Sequence, residues 1–380
     1  MRIIFFCGSL EPGRDGVGDY VRSLAHQCRE SGHTTLSIAL NDRHLEPWFT
    51  HDDPLEIRHS VRTPPSARVD FVHEQVAEFK PDAICWNVVP YGFNRRGFMP
   101  GWLTRLVHRL EAYPQHVMLH ELWIGAERGA SWKDRCQGGL QRLRLLRWLN
   151  EFRIRTVDTS NITYRTMLQR AGVRAGILPM IGNVPLPADA APSTTATPPA
   201  PGAPWKGVIF GSIHPQWDPV PTYRWLQQAA RHTRRPVEIT AIGHAGAGLE
   251  HARSAVADFE PEIRWHDEGM QPLDVISKTL LASDFGLALH PWALIGKSGT
   301  AAALSEHGLP VLVPRDDWHL DPPAPSPIPS SRVIRLHNLP PEEFEGWIAR
   351  RGPPASRLPE LVNRLLARLE PATSPVGLSA

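Results

Sequence analysis

Cysteine is scarce in this chain and never clustered: Cys7, Cys28, Cys85 and Cys136 stand far apart with no CxxC pair. That spacing excludes a zinc knuckle and a disulfide scaffold, and a reducing, cytoplasmic setting is the expectation. A charge of one sign is missing too. Lys and Arg number 41 against 39 Asp and Glu, for a formal net charge of +2, so no strong field recruits nucleic acid. Long hydrophobic runs are absent: no stretch reaches the roughly 18 apolar residues of a membrane span. The opening MRIIFFCGSLEPGRDG turns polar too soon for a signal peptide. One segment has a claim on a lipid surface, Gln141-Arg142-Leu143-Arg144-Leu145-Leu146-Arg147-Trp148. It reads either as a peripheral membrane contact or as an ordinary amphipathic surface helix.

What is present is globular: 42% hydrophobic and 21% charged residues over 380, enough for two domains at about 150 residues each. Arg2 to Cys7 is a short apolar run followed by a Gly-rich loop, and Tyr20 to Ser31 then carries Val21, Leu24, Ala25 and Cys28 at helical spacing. Gly32 ends that helix and Thr34 to Leu40 reads as a second strand, a βαβ unit. Further buried strands are expected at Ala83 to Val89, Val117 to His120 and Thr156 to Thr159. The pattern restarts at Gly207 to Ser212 and continues through Pro236 to Gly243, Ser283 to Leu289 and Leu309 to Val313.

The expected class is therefore α/β, two doubly wound Rossmann-like domains facing a cleft, with ligands at the carboxyl ends of the strands. Residues 1–185 form the first domain and 206–354 the second. Between them 186–205 is a linker, too rich in Pro, Ala, Ser and Thr to bury a core. In 355–370, Leu358, Leu361, Val362, Leu365, Leu366 and Leu369 make one apolar stripe, so a helix there is expected to pack back on the first domain. Residues 371–380 read as a tail.

Four stretches carry chemistry-bearing residues, three of them in the first domain. Gly13-Arg14-Asp15-Gly16-Val17-Gly18-Asp19 opens the first helix, where free N–H groups suit an anion. It lacks a third glycine at Val21, which disfavours a dinucleotide fingerprint. His120-Glu121 ends a strand and points either to ligand contact or to a hydrogen-bonded structural histidine. Asn87 to Gly92 ends another strand, as an acceptor pocket or as a turn made by Pro90 and Gly92. Trp86, Tyr91, Trp123 and Trp292 are candidate stacking surfaces, with core packing the plain alternative.

Ile295-Gly296-Lys297-Ser298-Gly299-Thr300 looks like the end of a P-loop, but the first glycine of that motif is missing because Pro291 stands in its place. A P-loop kinase or nucleotidase is disfavoured. The physics of the loop survives: Gly296 and Gly299 free the backbone, Lys297 is a cation, and Ser298 and Thr300 stand at the start of a helix expected at Thr300 to His307. Those are the parts of a phosphate site.

The chain resembles the GT-B glycosyltransferases, most closely the nucleotide-sugar-dependent family 4 group, from Met1 to about Asp317. The resemblance rests on GSLEPGRDGVGDYVRSLAHQCRESGH near the N-terminus, HELW at His120 to Trp123, LPMIGNVP at Leu178 to Pro185, VIFGSI at Val208 to Ile213, and ASDFGLALHPW followed by GKSGTAAALSEHGLPVLV. It implies transfer of a sugar from a nucleotide-diphosphate donor on the second domain to an acceptor of unknown identity on the first. No tightly bound cofactor and no metal are implied, because helix N-termini and basic side chains offset the leaving diphosphate.

By the family pattern Gly16, Val17 and Gly18 lie near the donor phosphates or the acceptor and Gly211 and Ser212 line the nucleotide, while the physics of their own loop makes Lys297, Ser298, Gly299 and Thr300 the candidates to hold phosphate. His120, Asp15 and Asp19 are the candidates for catalysis. Asn87, Tyr91, Glu121, His290 and Trp292 are candidates for the acceptor or sugar pocket. The sequence departs from the pattern at Ile295 and Ala303, where alignment on the GLPV turn puts the family's paired glutamates, and Glu306 is the candidate to serve the ribose instead. The family's lysine after the first donor-domain strand is also missing. His214 and Arg224 are the nearest basic residues, and Lys297 is the candidate replacement. A nucleotide- or partner-binding protein impaired in transfer is the alternative to an enzyme.

Overall fold

The structure, a computed structural model, describes residues 1–45, 54–152, 155–187, 202–244, 246–327 and 330–370. Most of the expected linker, 188–201, and the expected tail, 371–380, lie outside the described residues.

The first half runs β1 (Arg2–Cys7), α1 (Gly16–Glu30), β2 (Thr34–Asp42), β3 (Glu56–Ser60), α2 (Pro65–Phe79), β4 (Ala83–Val88), α3 (Pro90–Phe93), α4 (Gly101–Arg109), β5 (Gln115–Leu119), α5 (Trp132–Asn150), β6 (Arg155–Thr159), α6 (Ile162–Arg170) and β7 (Gly176–Ile177). Its strands form one parallel sheet in the order β3-β2-β1-β4-β5-β6-β7. β4 and β5 are buried at every residue. A parallel sheet covered by helices on both faces asks for such continuous apolar runs.

The second half runs β8 (Trp205–Phe210), α7 (Val220–Thr233), β9 (Val237–Ile242), α8 (Leu249–Ser254), β10 (Ile263–Gly269), α9 (Leu273–Ala282), β11 (Phe285–Leu287), α10 (Gly299–Glu306), β12 (Val311–Val313), β13 (Val333–Arg335), α11 (Phe344–Ile348) and α12 (Leu358–Leu369). The sheet order β10-β9-β8-β11-β12-β13 repeats the pattern of the first, again parallel. Alternate residues of β8 feed opposite cores. Trp205 and Ile209 join Tyr223, Leu226, Phe285, Phe344 and Trp347, while Val208 and Phe210 join Ile242, Leu280, Trp292 and Leu304.

In each sheet the strand order reverses beside the first strand, between β1 and β4 and between β8 and β11. Loops there diverge to opposite faces and leave a crevice at the carboxyl edge. The chain divides into two compact units, one of 1–160, 164–179 and 358–380, the other of 161–163 and 180–357. α12 thus belongs to the first unit. It buries Leu361, Val362, Leu365 and Leu369, Arg364 Nη2 donates to the Ile177 carbonyl at 2.8 Å, and Arg368 Nε lies 3.6 Å from Asp158.

Candidate functional site

At the carboxyl edge of the first sheet, the loop after β1 is built around α1. Asp15 is the N-cap of α1, its Oδ1 accepting from the amides of Val17 at 3.0 Å and Gly18 at 2.9 Å. Asp19 Oδ1 accepts from Gly13 N at 3.1 Å, and Gly13 takes φ +67°. Gly18 is demanded by packing: a Cβ there would stand 2.5 Å from the Ser9 carbonyl oxygen, while one at Gly16 would meet nothing within 4 Å. Gly16 is therefore the glycine that leaves room for a ligand. Burial pushes the Asp19 carboxyl above its ordinary range, against the Gly13 amide and Arg22, which pull it down.

His120 follows β5 and is 5% exposed. Its Nε2 stands 3.2 Å from Asn87 Oδ1, and an amide oxygen only accepts, so Nε2 carries the proton. Nδ1 is then a buried acceptor with no hydrogen-bond partner among the described residues. Burial, and after it the neighbouring His116, lowers the His120 pKa to about 3. The ring packs edge-on against Tyr20 with centroids 4.9 Å apart. Glu121, the next residue, is half-buried. Tyr91 lies just past β4, and its hydroxyl accepts from Gln141 Nε2 at 2.8 Å.

Other groups at this edge escaped the sequence reading. β2 continues to Asp42, two residues past the expected strand end, and Asn41 Nδ2 donates to the Gly92 carbonyl at 2.8 Å. Arg68 donates to Asn41 Oδ1 at 2.7 Å and lies over the Trp102 ring at 4.4 Å. Arg58 bridges Asp42, at 2.7 Å, to Glu11. Burial raises the Asp42 carboxyl, but Arg58 and the amides of His44 and Leu10 outweigh it and hold the group below its ordinary range. These ties fix the loop after β1. The signal was a polar pair closing an apolar strand, the same signal that marked Asn87 and His120.

In the second unit β8, β9 and β10 each run out into a glycine of positive φ, Gly211 (+81°), Gly243 (+93°) and Gly269 (+60°). A Cβ on Gly211 would come within 2.9 Å of Thr300 Cγ2, so the turn after β8 lies on the first turn of α10. Ser212 Oγ donates to the His244 carbonyl at 3.3 Å. α10 begins at Gly299, one residue ahead of the expected start. Ser298 is its cap, with Oγ accepting from Ala301 N at 3.1 Å and lying 2.9 Å from Thr300 Oγ1.

His290, just past β11, shows the field at this edge. Burial and then the charges of Lys297, Arg315 and His214 lower its pKa to about 4. Three loops, after β8, β11 and β12, thus bring basic groups together at one carboxyl edge. Of the two basic residues after β8, His214 acts on His290, whereas Arg224 is exposed on α7. Arg315, which the sequence reading missed, is held by Asp317 through Nε at 3.1 Å and Nη2 at 2.6 Å, and its Nη1 donates to the Leu289 carbonyl at 3.3 Å.

Two expected residues sit elsewhere. Trp292 is 2% exposed, its indole N–H donating to Ser326 Oγ at 2.8 Å, so it is core and offers no stacking face to a sugar. Glu306, at the far end of α10, is 4% exposed and accepts from Gly182 N at 3.1 Å. Burial raises its carboxyl, against the Gly182 amide and Arg357, so it clamps two chain segments rather than facing a ribose. Ile295 and Ala303 are 9% and 0% exposed, and a Cβ on Gly182 would stand 2.6 Å from the Ala303 Cα. Ala303 leaves no room for a glutamate, and a carboxylate at Ile295 would be buried among apolar side chains. Among the described residues, no group of three or more His, Cys, Asp or Glu could hold a metal ion, and no helix is long and apolar enough to cross a membrane.

No family model matches the sequence, and no curated protein matches it. Among solved structures, Anabaena Alr3699/HepE in complex with UDP and glucose aligns with a TM-score of 0.54 at 13% identity, over 97% of this chain and 96% of that one. A glycosyltransferase from Rickettsia africae ESF-5 aligns at 0.53 with 10% identity, over 97% and 94%. The apo form of the lipopolysaccharide outer core galactosyltransferase WaaB aligns at 0.51 with 12% identity, over 96% and 95%. Likeness at such low identity is likeness of fold. Over nearly its whole length the chain shares the two-domain, Rossmann-like fold of the GT-B glycosyltransferases.

Proposed function

We propose that the chain is a glycosyltransferase that takes a sugar from a nucleotide-diphosphate donor on its second unit and passes it to an acceptor on its first. The observation that carries this reading is the carboxyl edge at β8 and β11. There the Gly211 turn, the capped N-terminus of α10 and the charges that depress His290 converge. Backbone amides and cations in that arrangement suit a diphosphate and stabilise it as it leaves. The solved structures with UDP and glucose support a uridine nucleotide as the first donor to try.

Each side chain then has a part. Lys297, Arg315 and His214 offset the diphosphate, Gly211 and Ser212 let its backbone side approach, and Ser298, Gly299 and Thr300 present the amides of α10. Neutral His120, with Asn87 holding Nε2 and Nδ1 buried, positions the strand end beside the sugar rather than bonding a hydroxyl itself. Asp15 shapes the loop. Where the acceptor hydroxyl needs a base, Asp19 serves, because burial brings its carboxyl toward working pH. Tyr91 and Glu121 border the acceptor, and Gly16 to Gly18 form the backbone turn beside it.

A thermal-shift screen against nucleoside diphosphates and their sugars tests donor binding, since a ligand raises the midpoint by mass action. At least one nucleotide is expected to raise it. Lys297→Ala is expected to weaken that nucleotide about tenfold, the loss of one charge-assisted contact. No shift with any nucleotide sinks the proposal. Binding without release of the nucleoside diphosphate from its sugar, across an acceptor panel, leaves the impaired binding protein in its place.

A further inference from the structure

We propose that α5 docks the protein on an anionic phospholipid surface. Viewed down its axis at about 3.6 residues per turn, Trp132, Cys136, Leu140 and Leu143 fall within an arc of roughly 80°. That arc faces solvent: Trp132 is 71%, Leu143 63% and Leu140 43% exposed. Lys133 and Arg144 flank it on one side, Arg135 and Arg142 on the other, and Arg147 lies at its far end, all exposed. The helix has a single acid, Asp134, which accepts from the Ser131 hydroxyl at 2.6 Å.

The opposite face of α5 is anchored. A Cβ on Gly138 would stand 1.8 Å from the Ile124 carbonyl oxygen, Gln141 Oε1 accepts from Ile124 N at 3.0 Å, and Leu145, Trp148 and Leu149 are buried. The solvent-facing arc therefore contributes nothing to the core of its own unit. An apolar centre with a tryptophan, between two rows of cations, is the chemistry that enters the headgroup region of a negatively charged bilayer. Arg142 lies 5.8 Å over the Trp123 ring, so the helix borders the loop that carries His120 and Glu121. The inference concerns binding alone and does not depend on the transferase reading.

Flotation of the full chain with phosphatidylglycerol-containing vesicles, and with phosphatidylcholine vesicles as control, tests it. Binding is expected only to the anionic vesicles and is expected to weaken with salt. Arg142→Glu with Arg144→Glu is expected to reduce the bound fraction about tenfold, and Leu140→Asp with Leu143→Asp to abolish it. Both pairs are exposed, and an unchanged thermal midpoint checks that each variant folds. No binding to anionic vesicles, or binding unchanged in both variants, overturns the proposal. So does a concentration-dependent dimer that the leucine variants dissociate, since the arc would then belong to a second copy of the chain.

Discussion

Three histidines bear on how the protein responds to acid. His59, His120 and His290 have pKa values lowered to about 4, about 3 and about 4, each by burial first. Unfolded, they titrate near 6.5. Between the two values the unfolded chain binds protons that the folded chain refuses, so stability is full above about pH 6.5 and falls as pH drops. Each histidine contributes about 1.4 kcal/mol per pH unit across that window. Asp19, Asp284 and Glu306, raised by burial, act in the opposite sense nearer the carboxylate range. The unfolding free energy from urea titration is expected to fall by several kcal/mol between pH 7 and pH 5, lowering the midpoint with it, and His120→Gln to flatten that slope by one histidine's share. A midpoint that holds or rises on acidification contradicts these burial assignments.

At the scale of the element, α1 separates capping from catalysis. Asp15 Oδ1 holds two amides of the first turn, and losing such a cap costs about 1 kcal/mol. Asp15→Ala is expected to lower the thermal midpoint by a few degrees, about what that energy produces. Asp15→Asn keeps the amide oxygen in place and is expected to keep both midpoint and turnover. Loss of turnover in the asparagine variant with stability intact would make Asp15 the base and displace Asp19. The two candidates looked equivalent in sequence, because GRDGVGD does not reveal which carboxylate faces the helix end. Gly16 and Gly18 were likewise indistinguishable until the Ser9 carbonyl was seen against Gly18.

Across the whole molecule, α12 joins the first unit although the whole of the second precedes it in sequence. Leu365 is 2% exposed in its stripe. Leu365→Ala is expected to destabilise the first unit by about 2–5 kcal/mol, while leaving the nucleotide affinity of the second within about twofold, as independent sites do. Chemical denaturation followed alongside nucleotide titration checks both, and a parallel loss of affinity would tie α12 to the donor side.

The sequence by itself determined the two parallel sheets, because fully buried strands need continuous apolar runs and strand-to-helix turns need glycine. It also marked the strand ends where Asn87, His120 and Gly211 lie and the helix start beside Lys297. Only the tertiary structure decided which of these residues meet. Trp292 and Glu306 have the right chemistry for a sugar site and the wrong surroundings. Arg68 acquires its neighbours from a strand and a helix distant in the chain, and Arg315 reaches the Leu289 carbonyl as well as its near neighbour Asp317. Whether a polar group faces ligand or backbone depends on what packs over it, and that is set by contacts between segments that local pattern does not encode.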